Sequence, residues 1–368
     1  MNVSILIIDA PDRVFERDNA AAKICRMLSL KGYDVRRVMS IPSDDAGVRA
    51  AVEYLKADAA AVLIYGDSDA FRNAYSADYI IDKAAGILEF DGTLYGFTEG
   101  FDKEFIRDKF IPALNGKCKT FYNTAVFKTF GKTGDELRAL LTAQIKNKNR
   151  IAFKFIEGVG ECEARVRYSS KTSKPDADAV IAAVAAALGD VTYSTTDSTL
   201  AEEVADCLKV HKKTVCVAES FTGGAVTAEL VKIPGISAAL VEGVTAYSNG
   251  SKIARLNVEP QIIERYGAVA IETAYEMAAN ILLANGCDYS VATTGNAGPS
   301  AEKPGEEGVC FIAVGNVNGI HIYKYRFSGG RAEVIECGVK AALFRLLKRL
   351  KKSGFDELKE IHELGADK

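Results

Sequence analysis

The first hundred residues alternate short β-branched runs with amphipathic stretches: VSILIIDA, DNAAAKICRMLSLKG, YDVRRVMSI, DDAGVRAAVEYLKA and AAVLIYGD follow one another. That alternation predicts a parallel sheet with crossover helices. Beyond it, SADYIIDKAAGI and FDKEFIRDKFIPAL carry helical patterns and CKTFYNTAVFKTFG reads as a long strand, closing a first domain at residues 1–128. Residues 129–195 read as a small α+β module. It holds the helix KTGDELRALLTAQIKN, the β-pair RIAFKFIE and CEARVRYSS around the turn from Gly158 to Gly160, and the helix DADAVIAAVAAALGD. The Ser, Thr and Asp cluster in TYSTTDS, before the helix TLAEEVADCLKVHK, marks a boundary, so a third domain spans 196–368.

That domain opens with the strand TVCVAES, turns through FTGG and enters the helix AVTAELVKI. The stretch GVTAYSNGSKIARLNV, the helices PQIIERYG and IETAYEMAANILLANG, the strand DYSVATTG and the pair GVCFIAVGNV and GIHIYKYRF follow. Asn318-Gly319 between the last two predicts a type I′ hairpin with both central residues at positive φ. A basic amphipathic helix from Arg331 to Lys352 closes the fold, followed by a charged, frayed tail. The fold class is α/β: a parallel-sheet, three-layer first domain, the α+β linker module and a C-terminal α/β domain.

Composition removes several function classes. Of 368 residues, 48% are hydrophobic and 26% charged, as in an ordinary globular protein. Lys plus Arg is 46 against 49 for Asp plus Glu, so no basic excess recommends a nucleic-acid partner. No apolar run reaches the ~18 residues of a membrane span, and the start lacks a basic region with a small-residue cleavage site, so a cytoplasmic protein off the membrane is expected. The eight cysteines are scattered without a C-x-x-C and read as reduced, buried small hydrophobes. Only three histidines, His211, His321 and His362, are available for a catalytic triad or a multi-histidine metal site, and none lies in a loop that suggests one.

The most informative segment is Glu219 to Gly224, in AESFTGG. A serine at the end of a buried strand, followed by Thr222 and two glycines opening a helix, sets a hydroxyl where backbone N–H groups converge. Such a corner holds a phosphate or serves as an oxyanion hole beside a nucleophile; the bland alternative is that Ser220 caps the helix. With no suitable histidine, the base for a nucleophilic Ser220 is a lysine, because desolvation penalises the ammonium form. Lys252, in TAYSNGSK, is the candidate. A third polar loop, Thr293 to Gly308, carries four glycines and two prolines. All three loops leave from strand ends, where open α/β sheets bind ligands.

AESFTGG, AYSNGSK, the GAVA of 267–270, TTGNAGP and FSGGR together resemble the C-terminal domain of the CinA (competence/damage-inducible) family, over residues 196 to about 350. The resemblance implies a nicotinamide mononucleotide deamidase (PncC) that yields nicotinic acid mononucleotide and ammonia. It implies Ser220 as nucleophile, Lys252 as its partner base, and oxyanion or phosphate N–H donors from Thr222, Gly223 and Gly224. Glu219, Tyr247, Asn249, Thr294, Gly295, Gly298 and Arg331 are expected to line the nucleotide pocket. It implies a homodimer and no cofactor for the amidase. Two positions depart from the family pattern: Phe221 replaces the cysteine after the nucleophile, and Ala270 replaces a serine able to cap the next helix.

The amino-terminal half resembles the family's other domain, a molybdopterin-binding-like fold associated with metal-dependent ADP-ribose pyrophosphatase activity. The resemblance rests on strand one, Asp18-Asn19 leading a helix, KGYDVRRV and VFKTFG. Its glycine-rich motifs are replaced by IDAPDRVFE and YGDSDAFRNAYSAD. Without those glycines, Cβ atoms block a pyrophosphate from backbone N–H groups. Pyrophosphatase activity is therefore expected to be lost. Asp67, Asp69 and Asp78 read as surface aspartates rather than a magnesium site. Two alternatives stand beside the amidase: a pyridine-nucleotide or ADP-ribose sensor without turnover, and a bifunctional enzyme with residual pyrophosphatase activity.

Overall fold

Along each core strand, successive side chains fall on opposite faces, and in the computed structural model both faces of two separate sheets are covered by helices. The structure describes residues 2–8, 20–75, 86–118, 120–144, 151–301 and 304–352. Asp18-Asn19, IDAPDRVFE apart from Ile8, most of SADYIIDKAAGI, Asp78 and the charged tail with His362 lie outside them. The chain packs as two compact units, one of residues 1–125, 145–154 and 165–184, the other of 126–144, 155–164 and 185–368.

The first unit holds β1 (Asn2–Ile8), β2 (Asp34–Ile41), β3 (Ala61–Gly66), β4 (Ile87–Phe90) and β5 (Thr93–Thr98), in the order β2-β1-β3-β5-β4. β2, β1, β3 and β5 are parallel, as the alternation predicts. Val3 and Ile5 of β1 pack with the helix Ala20–Leu30 and the helical run 103–117, while Leu6 and Ile8 pack with the helices Asp45–Lys56 and Ser68–Ala74. β4 runs antiparallel to β5 across Asp91 and Gly92, at φ +46° and +71°. This hairpin was not anticipated.

Strands β6 (Tyr122–Phe130), β7 (Ile151–Gly158), β8 (Glu161–Ser169) and β9 (Thr192–Ser194) form a sheet of order β7-β8-β6-β9. The helices Gly134–Gln144 and Lys174–Leu188 stand where their patterns place them.

The second unit is organised around β10 (Val215–Glu219), β11 (Leu240–Thr245), β12 (Tyr289–Gly295), β13 (Val309–Asn316) and β14 (Gly319–Arg326), in the order β11-β10-β12-β13-β14. β11, β10 and β12 are parallel, and β13 and β14 complete the sheet antiparallel. Val215 and Val217 face a core shared with the helices Leu200–His211, Ala225–Val231 and Arg331–Lys352. Cys216 and Ala218 face the helices Asn249–Leu256, Pro260–Tyr266 and Ile271–Asn285. The parallel strands thus deliver their carboxyl ends to one edge, and the three polar loops leave from there.

Two expectations are corrected. The β13–β14 hairpin pairs Asn316 with Gly319, so its central residues are Val317 and Asn318, neither at positive φ. The Asn316 side chain accepts the Asn318 N–H at 3.0 Å, an Asx turn that makes the reversal without a left-handed pair. Cys216 and Cys287, brought together by β10 and the end of the helix Ile271–Asn285, form a disulfide, while Cys25, Cys118, Cys162, Cys207, Cys310 and Cys337 are not disulfide-bonded. Among the described residues no helix is long and apolar enough to cross a membrane.

Candidate active site

β10 ends at Glu219, and the chain turns at once into the helix Ala225–Val231, leaving Ser220 at the strand's carboxyl end. Gly223 and Gly224 take φ of +63° and +97°, which permits the reversal. Lys252 comes from the helix Asn249–Leu256, whose start is capped by Ser248 accepting the Ser251 N–H at 3.1 Å. From one turn into that helix, Lys252 Nζ donates to Ser220 Oγ at 2.9 Å and to the Tyr247 carbonyl at 3.2 Å. Both residues are enclosed, Ser220 at 6% and Lys252 at 1% exposure. A lysine is buried to that extent only with partners, because burial penalises its charge.

Ser220 does not cap the helix. Glu219 does so from beneath the turn, its fully buried carboxylate accepting from the N–H groups of Gly224, Val226 and Thr227 and from the Thr227 hydroxyl, at 2.7–3.0 Å. A carboxylate at a helix N-terminus satisfies orphan donors and meets the positive end of the dipole. The carboxylate of Glu219, expected to line the pocket, is thus engaged at the helix start. The N–H of Gly224 is engaged by Glu219 and that of Gly223 by the Ser220 carbonyl at 3.0 Å, so neither glycine supplies the expected donor. Among the described residues, the backbone N–H groups of Phe221 and Thr222 have no hydrogen-bond partner.

The third loop meets this corner through Thr293, which sequence reasoning passed over. Its carbonyl accepts the Ser220 N–H at 2.9 Å and its hydroxyl lies 2.6 Å from that of Thr222. Thr294 points elsewhere, its hydroxyl donating to the Ala268 carbonyl at 2.7 Å and tying down the 267–270 loop. Gly295 has a packing reason: a Cβ there would lie 2.7 Å from Cys310 Sγ and 2.9 Å from its Cα. Burial, with the neighbouring Cys337 thiol, pushes the Cys310 thiol up to about 12, which leaves it protonated and inert near neutral pH.

Tyr247, Gly298 and Arg331 come together. Arg331 donates from Nη1 to the Gly298 carbonyl at 2.7 Å and from Nη2 to the Tyr247 hydroxyl at 2.8 Å. Tyr247 thus links the lysine, through its carbonyl, to the arginine, through its hydroxyl. Arg331 and Gly298 also line a cleft of about 540 Å³ bounded by the 297–299 and 326–331 loops. Asn249 is exposed at the first position of its helix.

Among the described residues, His211 and His321 have other surroundings. His321 lies 2.9 Å from Arg349 through Nε2, and burial, Arg349 and Lys352 hold its pKa down. His211 is in the last turn of the helix Leu200–His211. In the first unit, Asp67 caps the helix Ser68–Ala74 and accepts from Ser43 Oγ at 2.6 Å, and Asp69 pairs with Arg72.

A two-sided α/β sheet with a buried serine–lysine pair at its strand ends defines the class of this second unit. Residues 197–350 match the family model of the CinA C-terminal domain. CinA-like proteins of Chlorobaculum tepidum and Geotalea uraniireducens are 38% and 31% identical to it, over 51% and 59% of this chain and 47% and 53% of their own lengths. The crystal structure of a competence/damage inducible protein from Agrobacterium tumefaciens is 31% identical, covering 41% of this chain and 93% of that one, at a TM-score of 0.40. The chain belongs to the CinA family. It spans about half the length of these two curated relatives.

Proposed function

We propose that the second unit is an amidase that hydrolyses the carboxamide of nicotinamide mononucleotide to nicotinic acid mononucleotide and ammonia. The observation that carries this reading is the 2.9 Å hydrogen bond between two enclosed side chains, Lys252 Nζ and Ser220 Oγ. The nucleotide itself is taken from the family resemblance. In the proposed reaction Lys252 acts as the neutral amine, the form that burial favours, and removes the Ser220 proton. Ser220 Oγ attacks the carboxamide carbon, and the negative charge on the former carbonyl oxygen is held by the N–H groups of Phe221 and Thr222. The Lys252 ammonium returns its proton to the departing nitrogen, which leaves as ammonia. Water, deprotonated by Lys252, then attacks the ester, and the acid is released as Ser220 regains its proton. In this reading Arg331, which lines the 540 Å³ cleft, and Tyr247, bonded to it, hold the nucleotide's polar groups.

The first unit is read as having lost pyrophosphatase activity, since Asp67 and Asp69 are engaged in local helix contacts. Ammonia release from nicotinamide mononucleotide without added metal tests the amidase. Turnover by the parent, falling about a thousandfold or more in both Ser220→Ala and Lys252→Ala, is the expected result, because removing one member of a nucleophile–base pair disables the unit. Binding without ammonia release by the parent would instead identify a sensor. AMP release from ADP-ribose with a divalent metal would identify the bifunctional alternative.

A further inference from the structure

Gly338 stands in the interior of the 22-residue helix Arg331–Lys352, where glycine costs about 1 kcal/mol relative to alanine. It is not among the glycines at positive φ, so the backbone conformation does not require it. Space does. A Cβ at Gly338 would lie 2.3 Å and 2.5 Å from Cζ and Cε2 of Phe221, and 3.5 Å from Cγ2 of Thr222. The Phe221 ring is therefore seated against bare helix backbone, in a notch that any other residue fills.

Phe221 immediately follows Ser220, and both Phe221 and Thr222 are buried. On its other side the same turn is fastened to β12 by the bonds from Ser220 and Thr222 to Thr293. Two anchors thus fix the three residues that carry the nucleophile and the unpaired N–H groups: a polar one on the sheet and an apolar one on the helix. We infer that Phe221 and Gly338 form a positioning pair, the ring in its notch setting the angle at which Ser220 Oγ meets Lys252 Nζ. A methyl group at Gly338 displaces the ring and, through one peptide unit, the nucleophile. A misplacement of about 1 Å costs up to ~100-fold in rate. Phe221, a departure from the family's cysteine, is thereby matched to the helix it packs on.

The inference rests on the amidase reading, and the experiment separates the two. Gly338→Ala, Phe221→Cys and the double variant are compared by steady-state ammonia release from nicotinamide mononucleotide, by the rate at which a fluorophosphonate probe labels Ser220, read by intact mass, and by thermal melting. The expected result is a tenfold or greater fall in kcat and labelling rate for Gly338→Ala, KM staying within about threefold, and recovery in the double variant to within about threefold of Phe221→Cys. Parental kcat and labelling in Gly338→Ala overturn the pair. So does a double variant no better than Gly338→Ala, since the defect then comes from the helix and not the ring. Should Gly338→Ala fail to fold, a folded double variant as active as Phe221→Cys supports the pair, and an unfolded one overturns it. Labelling needs no knowledge of the substrate, so a parent that takes up the probe but releases no ammonia counts against the amidase reading while the variants' labelling rates still decide the pair. A parent that does neither overturns both.

Discussion

Glu219 Oε1 accepts both the backbone N–H and the hydroxyl of Thr227, at 2.8 and 2.7 Å, while Oε2 takes the N–H groups of Gly224 and Val226. One buried carboxylate closes the helix start behind Ser220. Glu219→Ala leaves several donors without a partner in a dry site, so a loss of about 3 kcal/mol is expected by urea unfolding. Glu219→Gln, which points an amide NH₂ at some of the same donors, should lose less but more than 1 kcal/mol. A Glu219→Ala variant as stable as the parent would refute the capping role.

The helix Ile271–Asn285 lacks the corresponding device. Its first flanking residue is Ala270, in extended conformation at φ −146° and with no side-chain cap, and Thr273 in its first turn donates backward to the Gly267 carbonyl. Ala270→Ser supplies an acceptor at a position whose backbone already suits a cap. Stabilisation of about 0.5–1 kcal/mol is expected, seen as a rise of ~1–4 °C in Tm. A fall in Tm would mean that the buried Ala270 site has no room for a hydroxyl.

Asp288 makes stability depend on acid. Burial pushes its carboxyl up, but hydrogen bonds from Lys213 and from the N–H and hydroxyl of Thr214, all at 2.9 Å, outweigh that and hold its pKa below the ordinary value. A carboxyl depressed on folding contributes stability that is present above its unfolded pKa, near 3.9, and is lost as pH falls through the lower folded value. Asp288→Asn should therefore be less stable than the parent at pH 7, and the gap should narrow below about pH 4. Unfolding curves at pH 7, 5 and 3 check this; a gap constant with pH would detach the effect from ionisation.

Much of this architecture is legible in the chain. The short, near-continuous apolar runs that mark β10 and β12 as buried on both faces, and the 3.6-residue pattern of Arg331–Lys352, arise locally, so they survive the absence of tertiary information. Ser220 and Lys252 are legible for a different reason: each lies in or just after a polar segment that interrupts an apolar pattern, Ser220 in the turn after β10 and Lys252 in the first turns of the helix that follows Tyr247-Ser248. The β4–β5 hairpin carried its signal, Asp91-Gly92, but TLYGFT, with threonine at each end and Gly96 within, offers neither alternation nor a continuous apolar run to flag β5. What no local pattern holds is the use made of a group by a distant one. The contact of Phe221 with Gly338, the fastening of Ser220 to Thr293 and the diversion of the Gly223 and Gly224 N–H groups all depend on packing between elements far apart in sequence.

The eight cysteines divide into one disulfide, Cys216–Cys287, and six that are not disulfide-bonded. Thiol titration in denaturant, on protein never exposed to reductant, should count six, and after reduction eight. The bond closes a loop 71 residues apart in sequence, and by the chain-entropy account its removal in a Cys216→Ala, Cys287→Ala variant should cost about 4 kcal/mol. Eight thiols before reduction would show that the pair stays reduced.

Lys252 offers the sharpest separation of function from stability. An amine enclosed at 1% exposure carries a desolvation penalty that an apolar side chain of similar length does not. Lys252→Met keeps the volume, removes the amine and leaves Ser220 with one fewer hydrogen bond. If Lys252 is present for chemistry, the variant should be as stable as the parent or more so, while ammonia release falls about a thousandfold. If it is present for packing and hydrogen bonding, stability should fall by about 2–3 kcal/mol through the lost bonds to Ser220 and Tyr247, and Ser220 should still react with a fluorophosphonate. The two roles predict opposite signs for the change in Tm, so one melting curve paired with one labelling rate distinguishes them.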